Sequence, residues 1–263
     1  MASSKTQGRV AKLVALALAL LVGGCAALGT ATSDKDRERR WAEQILPTLV
    51  VGEAVYLPTA DDNGARQFLA LYTPAETSAP KGAVILVHGK GMNPDFGIIG
   101  ALRVALASHG YATLSLQMPV LRDGASDDQY QLLFQDAGTR IVSGVGFLRL
   151  KRYSRILLLS HSMGGRMADY YLMRASEPAV AAWVSLSISN GEYEHAQSMQ
   201  IPILDVYAES DLPRVLEGAG FRAAVLQSLP HSRQVRIRGA DHFYTGHEKE
   251  VLAEVLRFAD GVR

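Results

Sequence analysis

A serine, an aspartate and a histidine that are far apart in the sequence each follow a predicted strand, where they could perform nucleophilic catalysis together. Ser162 lies in the segment Ser-His-Ser-Met-Gly-Gly, between an apolar run at residues 156–159 and a helical pattern. A serine at a sharp strand–turn–helix connection exposes its hydroxyl. The residues two positions before and after it must be small, because the backbones of the strand and the helix approach closely there. Gly164 meets this requirement, whereas Ser160 stands where glycine is usual. These six residues alone are equally consistent with a helix that begins with a serine cap.

Asp211 and His242 are the other two groups that such a serine requires. Asp211 follows the strand-like run at residues 203–207, and His242 lies in a Gly-Ala-Asp-His-Phe segment that precedes the last predicted helix. A histidine in a flexible loop there can take the proton of the serine, and an aspartate can orient the imidazole. Glu209 is the nearest alternative acid. Asp211 could instead cap the following helix, and His242 could be an exposed loop residue.

A loop between glycines is predicted to supply hydrogen-bond donors for a developing oxyanion. An apolar strand at residues 84–87 runs into His88-Gly89-Lys90-Gly91. The glycines allow the backbone N–H of Lys90 to turn toward an anion, and the N–H of Met163 is the expected second donor. A plain turn at the end of a strand is the other interpretation of this loop. We expect His88 to be structural rather than a catalytic base.

Continuous apolar runs alternate with amphipathic helical patterns after residue 82, which predicts a mostly parallel sheet with helices on both faces. The predicted strands are 83–87, 112–116, 156–159, 183–188, 203–207 and 235–237, and the predicted helices are 98–108, 129–150, 163–175, 212–227 and 248–258. A hairpin of residues 53–57 and 66–72, with its turn at Asn63-Gly64, should form an antiparallel edge. Such sheets bind ligands at the carboxyl ends of their strands, where all three groups above are expected.

The chain order Ser162, Asp211, His242 is that of α/β-hydrolases and differs from the orders of the chymotrypsin and subtilisin types. Residues 52–263 resemble this superfamily, near its dienelactone-hydrolase-like members, in the strand–serine–helix element, the acid after a late strand and the Asp-His segment. The resemblance implies an α/β-hydrolase fold in which Ser162 is the nucleophile, His242 the base and Asp211 its partner. Dienelactone hydrolases use a cysteine nucleophile, so their substrate is not implied here.

These roles predict a serine hydrolase that cleaves a carboxylic ester, or a thioester or amide, through an acyl-enzyme intermediate. No cofactor or metal is required, and His242 and His247 lack the spacing of a helical zinc pair. The short connection at residues 189–200 predicts a minimal lid and an open site. Substrate contacts are expected from four apolar residues, namely Met92, Phe96, Met118 and Leu121. The alternative is a non-catalytic envelope lipoprotein that uses the same scaffold for binding or assembly.

Residues 1–24 are typical of a lipoprotein signal peptide, with a basic start and an apolar run at residues 13–22. Val-Gly-Gly-Cys then resembles a bacterial lipobox, so we expect Cys25 to be lipidated and to anchor the chain at the periplasmic face of the envelope, in the outer membrane. An ordinary secretory signal with an incidental cysteine is the alternative. Residues 25–51 are predicted to be a tether and a short helix that ends before Pro47.

The charge balance argues against nucleic acid as a partner, since 27 lysines and arginines face 26 aspartates and glutamates. Hydrophobic residues make up 48% of the chain, which is typical of a globular protein and not of a disordered one. The expected partners are therefore a small ester-like substrate and a membrane reached through the lipid anchor. The composition leaves the oligomeric state open.

Overall fold

The computed structural model describes residues 32–61, 64–175, 179–189, 193 and 200–262. Within these ranges eight strands form one sheet in the order β1-β2-β4-β3-β5-β6-β7-β8. The strands are β1 (Glu53–Asp61), β2 (Gly64–Thr73), β3 (Gly82–Val87), β4 (Tyr111–Leu116), β5 (Ile156–His161), β6 (Ala182–Leu186), β7 (Ile203–Ser210) and β8 (Arg233–Asp241). The helices are α1 (Lys35–Ile45), which continues as a 3₁₀ turn (Leu46–Thr48), α2 (Gly97–Ser108), α3 (Asp127–Gln131), α4 (Phe134–Leu150), α5 (Met163–Arg174), α6 (Pro213–Leu226) and α7 (Glu248–Gly261).

The pairing of the strands confirms the predicted fold class. β1 and β2 form the antiparallel hairpin at one edge, and β2 is also antiparallel to β4. All the remaining neighbouring strands are parallel. Because β3 to β8 run in the same direction, their carboxyl ends meet at one edge of the sheet. The predicted turn at Asn63 and most of the predicted lid connection fall outside the described residues.

Helices cover both faces of the sheet, which explains why its central strands are apolar throughout. On one face, Leu86 of β3, Leu106 of α2 and Val251 of α7 belong to a single buried cluster. On the opposite face α4 lies so close to β4 that a Cβ added at Gly144 would be 3.3 Å from the side chain of Leu116. Every residue of β3, β4 and β5 is buried.

The helix predicted over residues 129–150 is in fact two helices, α3 and α4. Ser126 begins the first one with a capping box, because its Oγ accepts the N–H of Gln129 while the Gln129 side chain accepts the N–H of Ser126. Leu133, between the two helices, is still buried. The apolar spacing therefore continues across the break, and a spacing argument alone could not detect it.

β7 and β8 extend beyond the apolar runs at residues 203–207 and 235–237 that predict them. This changes the position of Asp211 and His242 relative to the strands. The two strands remain paired up to Ser210 and Asp241, past an irregularity in their register. Asp211 and His242 therefore follow paired strands directly. His242 was expected in a flexible loop, but its backbone continues from a strand that holds its position.

The chain before β1 is attached to the domain by a buried ion pair. Arg140 of α4 is fully buried, and its Nη2 lies 2.9 Å from Glu38 Oε1 of α1 and 2.9 Å from Asp136 Oδ2. Ahead of α1, the N–H of Asp34 donates to the carbonyl of Val120 over 2.7 Å. The short helix predicted within residues 25–51 is thus α1, and it packs on the domain.

The segment predicted to be a signal peptide, together with Cys25, lies outside the described residues. Within the described ranges, no helix combines the length and the apolar character needed to cross a membrane.

We expect Arg140→Met to lower the free energy of unfolding by about 3 kcal/mol, because it removes the buried cation between Glu38 and Asp136 and leaves them only the longer ion-pair contacts of the partly exposed Lys35. Urea denaturation would measure the loss. Arg39→Met is the matched control, since Arg39 lies on the exposed side of α1; it should change stability by about 0.5 kcal/mol or less. Equal stabilities of the two variants would show that the buried pair does not hold α1.

Candidate active site

Ser162 occupies a strained turn between β5 and α5. Its backbone has φ 54° and ψ −122°, a region that residues with a side chain rarely adopt. The turn is tight because α5 begins directly against the end of β3. A Cβ added at Gly164 would lie 2.5 Å from the carbonyl oxygen of His88, so only glycine fits there. The side chain of Ser162 does not cap the helix, which removes the alternative interpretation of this segment.

Ser160, the departure from the usual glycine, is accommodated by a tryptophan. Its side chain is fully buried, and its Oγ accepts a hydrogen bond from Nε1 of Trp183 on the neighbouring strand β6 over 2.8 Å. The indole N–H is itself buried and needs an acceptor. The serine hydroxyl at this position therefore satisfies a buried donor and leaves the geometry of the turn intact.

The structure brings Ser162, His242 and Asp211 into one hydrogen-bonded chain. Ser162 Oγ is 2.9 Å from Nε2 of His242, and Nδ1 of His242 is 2.6 Å from Oδ1 of Asp211. In the neutral imidazole, Nδ1–H donates to the carboxylate and Nε2 accepts the serine O–H. This is the arrangement of a nucleophile, a base and a group that orients the base.

Asp211 is held as a buried carboxylate by several donors. Its Oδ2 accepts from the Ser187 hydroxyl and from the N–H of Ala208, and its Oδ1 accepts from the N–H of Leu212 as well as from His242. Burial opposes ionisation, but the hydrogen bonds from His242, Ser187 and Ala208 outweigh it and hold the pKa of Asp211 below its usual value. The acid therefore remains charged at neutral pH.

Glu209, the alternative acid, does not reach the histidine. Its Oε2 accepts the N–H of Gly239 over 2.9 Å, and its other oxygen lies 3.8 Å from Arg236 on the exposed side of β8. Asp211 does not act as the helix cap either, because the N-cap residue of α6 is Leu212.

Two further histidines beside the triad are buried and neutral. Nε2–H of His161 donates to the backbone carbonyl of His242 over 2.8 Å, which fixes the position of that residue. Burial, assisted by the nearby His242, lowers the pKa of His161 to about 4. His88 donates from Nδ1 to the Gly89 carbonyl, and its Nε2 accepts the N–H of Met118. Burial lowers the pKa of His88 to about 3, so it is a structural residue.

Lys90 and Met163 line the same cavity as Ser162. Met163 is the first residue of α5, where a backbone N–H has no acceptor within the helix. Neither its N–H nor that of Lys90 donates a hydrogen bond to another described residue. Both N–H groups are therefore free of acceptors among the described residues.

The cavity above Ser162 has a volume of about 380 Å³. Its lining residues are Lys90, Gly91, Met92, Asp127, Ser162, Met163, Ser189, Leu212, Arg214, His242 and Phe243. Of the four expected substrate contacts, only Met92 is among them. Met118 is completely buried, where its N–H binds His88, and Phe96 is exposed at the start of α2. Leu121 lies beside α1, where its carbonyl accepts from Arg37.

The sequence interpretation missed several of these lining residues. Leu212 and Phe243 directly follow Asp211 and His242, so their sequence positions were a usable signal. Nothing in the sequence indicated the ion pairs of Asp127, whose carboxylate binds Lys90 at 3.1 Å and also Arg214. Among the residues that the structure describes, no group of three or more histidine, cysteine, aspartate or glutamate side chains could hold a metal ion.

Comparisons with known proteins agree with this architecture. The sequence profile of the family described as "Protein of unknown function (DUF3530)" matches residues 30–133. No curated protein has a significantly similar sequence. The similar solved structures include Est1E from Butyrivibrio proteoclasticus (17% identity, TM-score 0.61, 78% of this chain and 96% of that one). An α/β serine hydrolase homologue from Coxiella burnetii matches at 17% identity and a TM-score of 0.60, over 80% of this chain and 98% of that one.

A dienelactone hydrolase from Anabaena variabilis is also similar, at 19% identity and a TM-score of 0.59 over 80% of this chain and 98% of its own. Together with the strand order and pairing, these likenesses show that the chain has the α/β-hydrolase fold.

The two buried histidines predict how stability depends on pH. In the unfolded chain an imidazole binds a proton near pH 6.5, whereas His88 and His161 stay neutral in the fold until about pH 3 and 4. Stability should therefore fall as the pH drops below about 6.5, by up to about 1.4 kcal/mol per pH unit for each histidine. Urea denaturation at pH 7, 6 and 5 would measure this slope.

His88→Gln should reduce this slope by about one histidine's contribution, even if it lowers stability at pH 7. His109→Gln is the control for the substitution itself, because His109 is exposed at the end of α2. An identical slope in His88→Gln and the unmodified protein would contradict the assignment of a neutral buried imidazole.

Proposed function

We propose that this protein is a serine hydrolase that cleaves a carboxylic ester through an acyl-enzyme intermediate. The observation that carries the proposal is the continuous chain of hydrogen bonds from Ser162 Oγ through His242 to Asp211, at 2.9 and 2.6 Å. At its serine end this series of hydrogen bonds faces a cavity that could hold a substrate. Lys90 and Met163, whose backbone N–H groups have no acceptor among the described residues, line the same cavity.

In the proposed reaction, Nε2 of His242 takes the proton of Ser162 as the serine Oγ attacks the carbonyl carbon. The N–H groups of Lys90 and Met163 stabilise the resulting oxyanion. When the intermediate collapses, His242 returns the proton to the departing alcohol and the acyl group stays on the serine. Water then attacks this acyl group with the same base, which releases the acid and restores Ser162. Asp211 stabilises the imidazolium in both halves of the reaction.

Three considerations support a serine hydrolase that acts on a small ester. The structural neighbours named above include a dienelactone hydrolase and a serine hydrolase homologue, and an esterase domain from Rhodothermus marinus is also similar in fold. The nucleophile position holds serine. The cavity of about 380 Å³ lies at the small end of the range for ligand sites and favours a short substrate over a long acyl chain. Thioesters and amides are the other acyl compounds open to the same chemistry.

Ser162→Ala and His242→Ala should each lower kcat for hydrolysis of p-nitrophenyl acetate by at least about 10⁴-fold. A fluorophosphonate probe should label the unmodified protein and not Ser162→Ala. Ser108→Ala, which removes an exposed serine of α2, is the control and should be labelled fully. If the folded, unmodified protein is not labelled, the enzyme proposal is wrong and a non-catalytic binding role replaces it.

The same assay identifies the acid. Asp211→Asn should lower kcat far more than Glu209→Gln, because only Asp211 binds the imidazole. A larger loss in Glu209→Gln would reassign that role.

We further propose that the chain is anchored to the bacterial envelope by lipid on Cys25, facing the periplasm. The support is the sequence alone, in the apolar run and the Val-Gly-Gly-Cys segment that follows it. Mass spectrometry of the protein from membranes should show an N-terminal Cys25 that carries acyl chains. A mature N-terminus at Cys25 without lipid, or at another residue, would refute the anchor.

A further inference from the structure

A second cavity adjoins the catalytic one and differs from it in character. Its volume is about 420 Å³, and we call it the polar annex. Its lining residues are Lys90, Gly124, Ala125, Ser126, Asp127, Asp128, Gln131, Arg166 and Arg214. Lys90, Asp127 and Arg214 line both cavities, so the two spaces are neighbours that share this ion-paired cluster. A substrate bound at Ser162 could extend into the annex.

The charge of Asp127 is already compensated within the annex. One carboxylate oxygen lies 3.1 Å from Lys90 Nζ, and the other binds Arg214. Asp127 is held in place because it is the first residue of α3, which the Ser126 capping box fixes. The other acid, Asp128, is exposed, so water screens its charge.

Arg166 is the unmatched charge of the annex. It lies on α5, one helical turn after Ser162, and its guanidinium stacks 5.4 Å from the ring centroid of Phe134. Among the described residues no carboxylate lies within ion-pair distance of Arg166, and its N–H groups donate no hydrogen bond. Burial lowers the pKa of Arg166, and the nearby charge of Arg214 lowers it further. The carboxylates of Asp127, Asp128 and Asp169 offset this in part from beyond ion-pair distance. The guanidinium remains a cation at neutral pH.

We propose that Arg166 binds a carboxylate of the substrate, so that the preferred ester carries an anionic group away from the bond that is cleaved. A partly desolvated guanidinium gains most from a bound anion, and its planar fork matches a carboxylate. Four residues of helix separate the backbones of Ser162 and Arg166 by about 6 Å along the helix axis, and the Arg166 side chain lines the annex beside the Ser162 cavity. The ligand is called a substrate here on the basis of the function proposed above.

The test compares two esters with acyl chains of equal length. Mono-4-nitrophenyl glutarate ends in a carboxylate, and 4-nitrophenyl pentanoate ends in a methyl group. The unmodified protein should prefer the charged ester. Arg166→Gln should lower kcat/KM for the charged ester by about 10- to 100-fold, the usual effect of one charged hydrogen-bond pair. The neutral ester should change by less than about twofold, which also shows that the variant is folded.

Two variants sharpen the comparison. Arg166→Lys keeps the charge but loses the planar fork, so its kcat/KM for the charged ester should be intermediate. Arg174→Gln is the matched control, because Arg174 is an exposed arginine of the same helix and lines a different groove. It should leave the rates for both esters unchanged. An equal ratio of the two rates in the unmodified protein and Arg166→Gln would overturn the carboxylate site while leaving the hydrolase proposal intact.

A binding measurement covers the case in which neither ester is turned over. Glutarate should raise the Tm of Ser162→Ala, and this increase should disappear in Ser162→Ala/Arg166→Gln. If the increase depends on Arg166 but no ester is cleaved, the carboxylate site stands and the proposed hydrolase function fails. If no ester is cleaved and the increase is absent or independent of Arg166, the carboxylate site is refuted.

Discussion

The close approach of α5 to the end of β3 is the constraint on which the site depends. Gly164 has no room for a Cβ beneath the carbonyl of His88. The helix can therefore begin at the very edge of the sheet, and the turn before it forces Ser162 into a positive φ. That strain is maintained because the buried strands and helices on both sides fix the turn. It directs Ser162 Oγ toward His242, which follows another strand at the same edge.

Asp211 and His242 are held as firmly as Ser162. Asp211 is surrounded by donors, and His161 binds the backbone carbonyl of His242, so neither group depends on a mobile loop for its position. The pairing of β7 with β8 up to Ser210 carries both residues to the site. Such preorganisation reduces the rearrangement that a reaction at Ser162 would need.

The sequence predicted the parts of this structure that depend on local patterns. Buried parallel strands are apolar throughout, and parallel strands end at one edge, so the fold class and the meeting of Ser162, Asp211 and His242 could both be predicted. Contacts between distant charged segments could not, because the partners of Asp127 look like any surface charge in the sequence. Met118 was misassigned for a related reason: an apolar residue in a loop is equally suited to the core and to a ligand.

The hydrogen bond from Trp183 to Ser160 places a fluorescent side chain next to the turn that carries Ser162. The chain contains only two tryptophans. Trp183 is fully buried, and its hydrogen-bond partner Ser160 lies two residues before Ser162. The other, Trp41, meets the ring of His88 edge-on, just after the end of β3. One of the two indoles therefore lies next to the Ser162 turn, and the other contacts His88 and Arg37. A group bound at Ser162 would change the surroundings of Trp183, so tryptophan emission could report its binding without a dye or a coloured substrate.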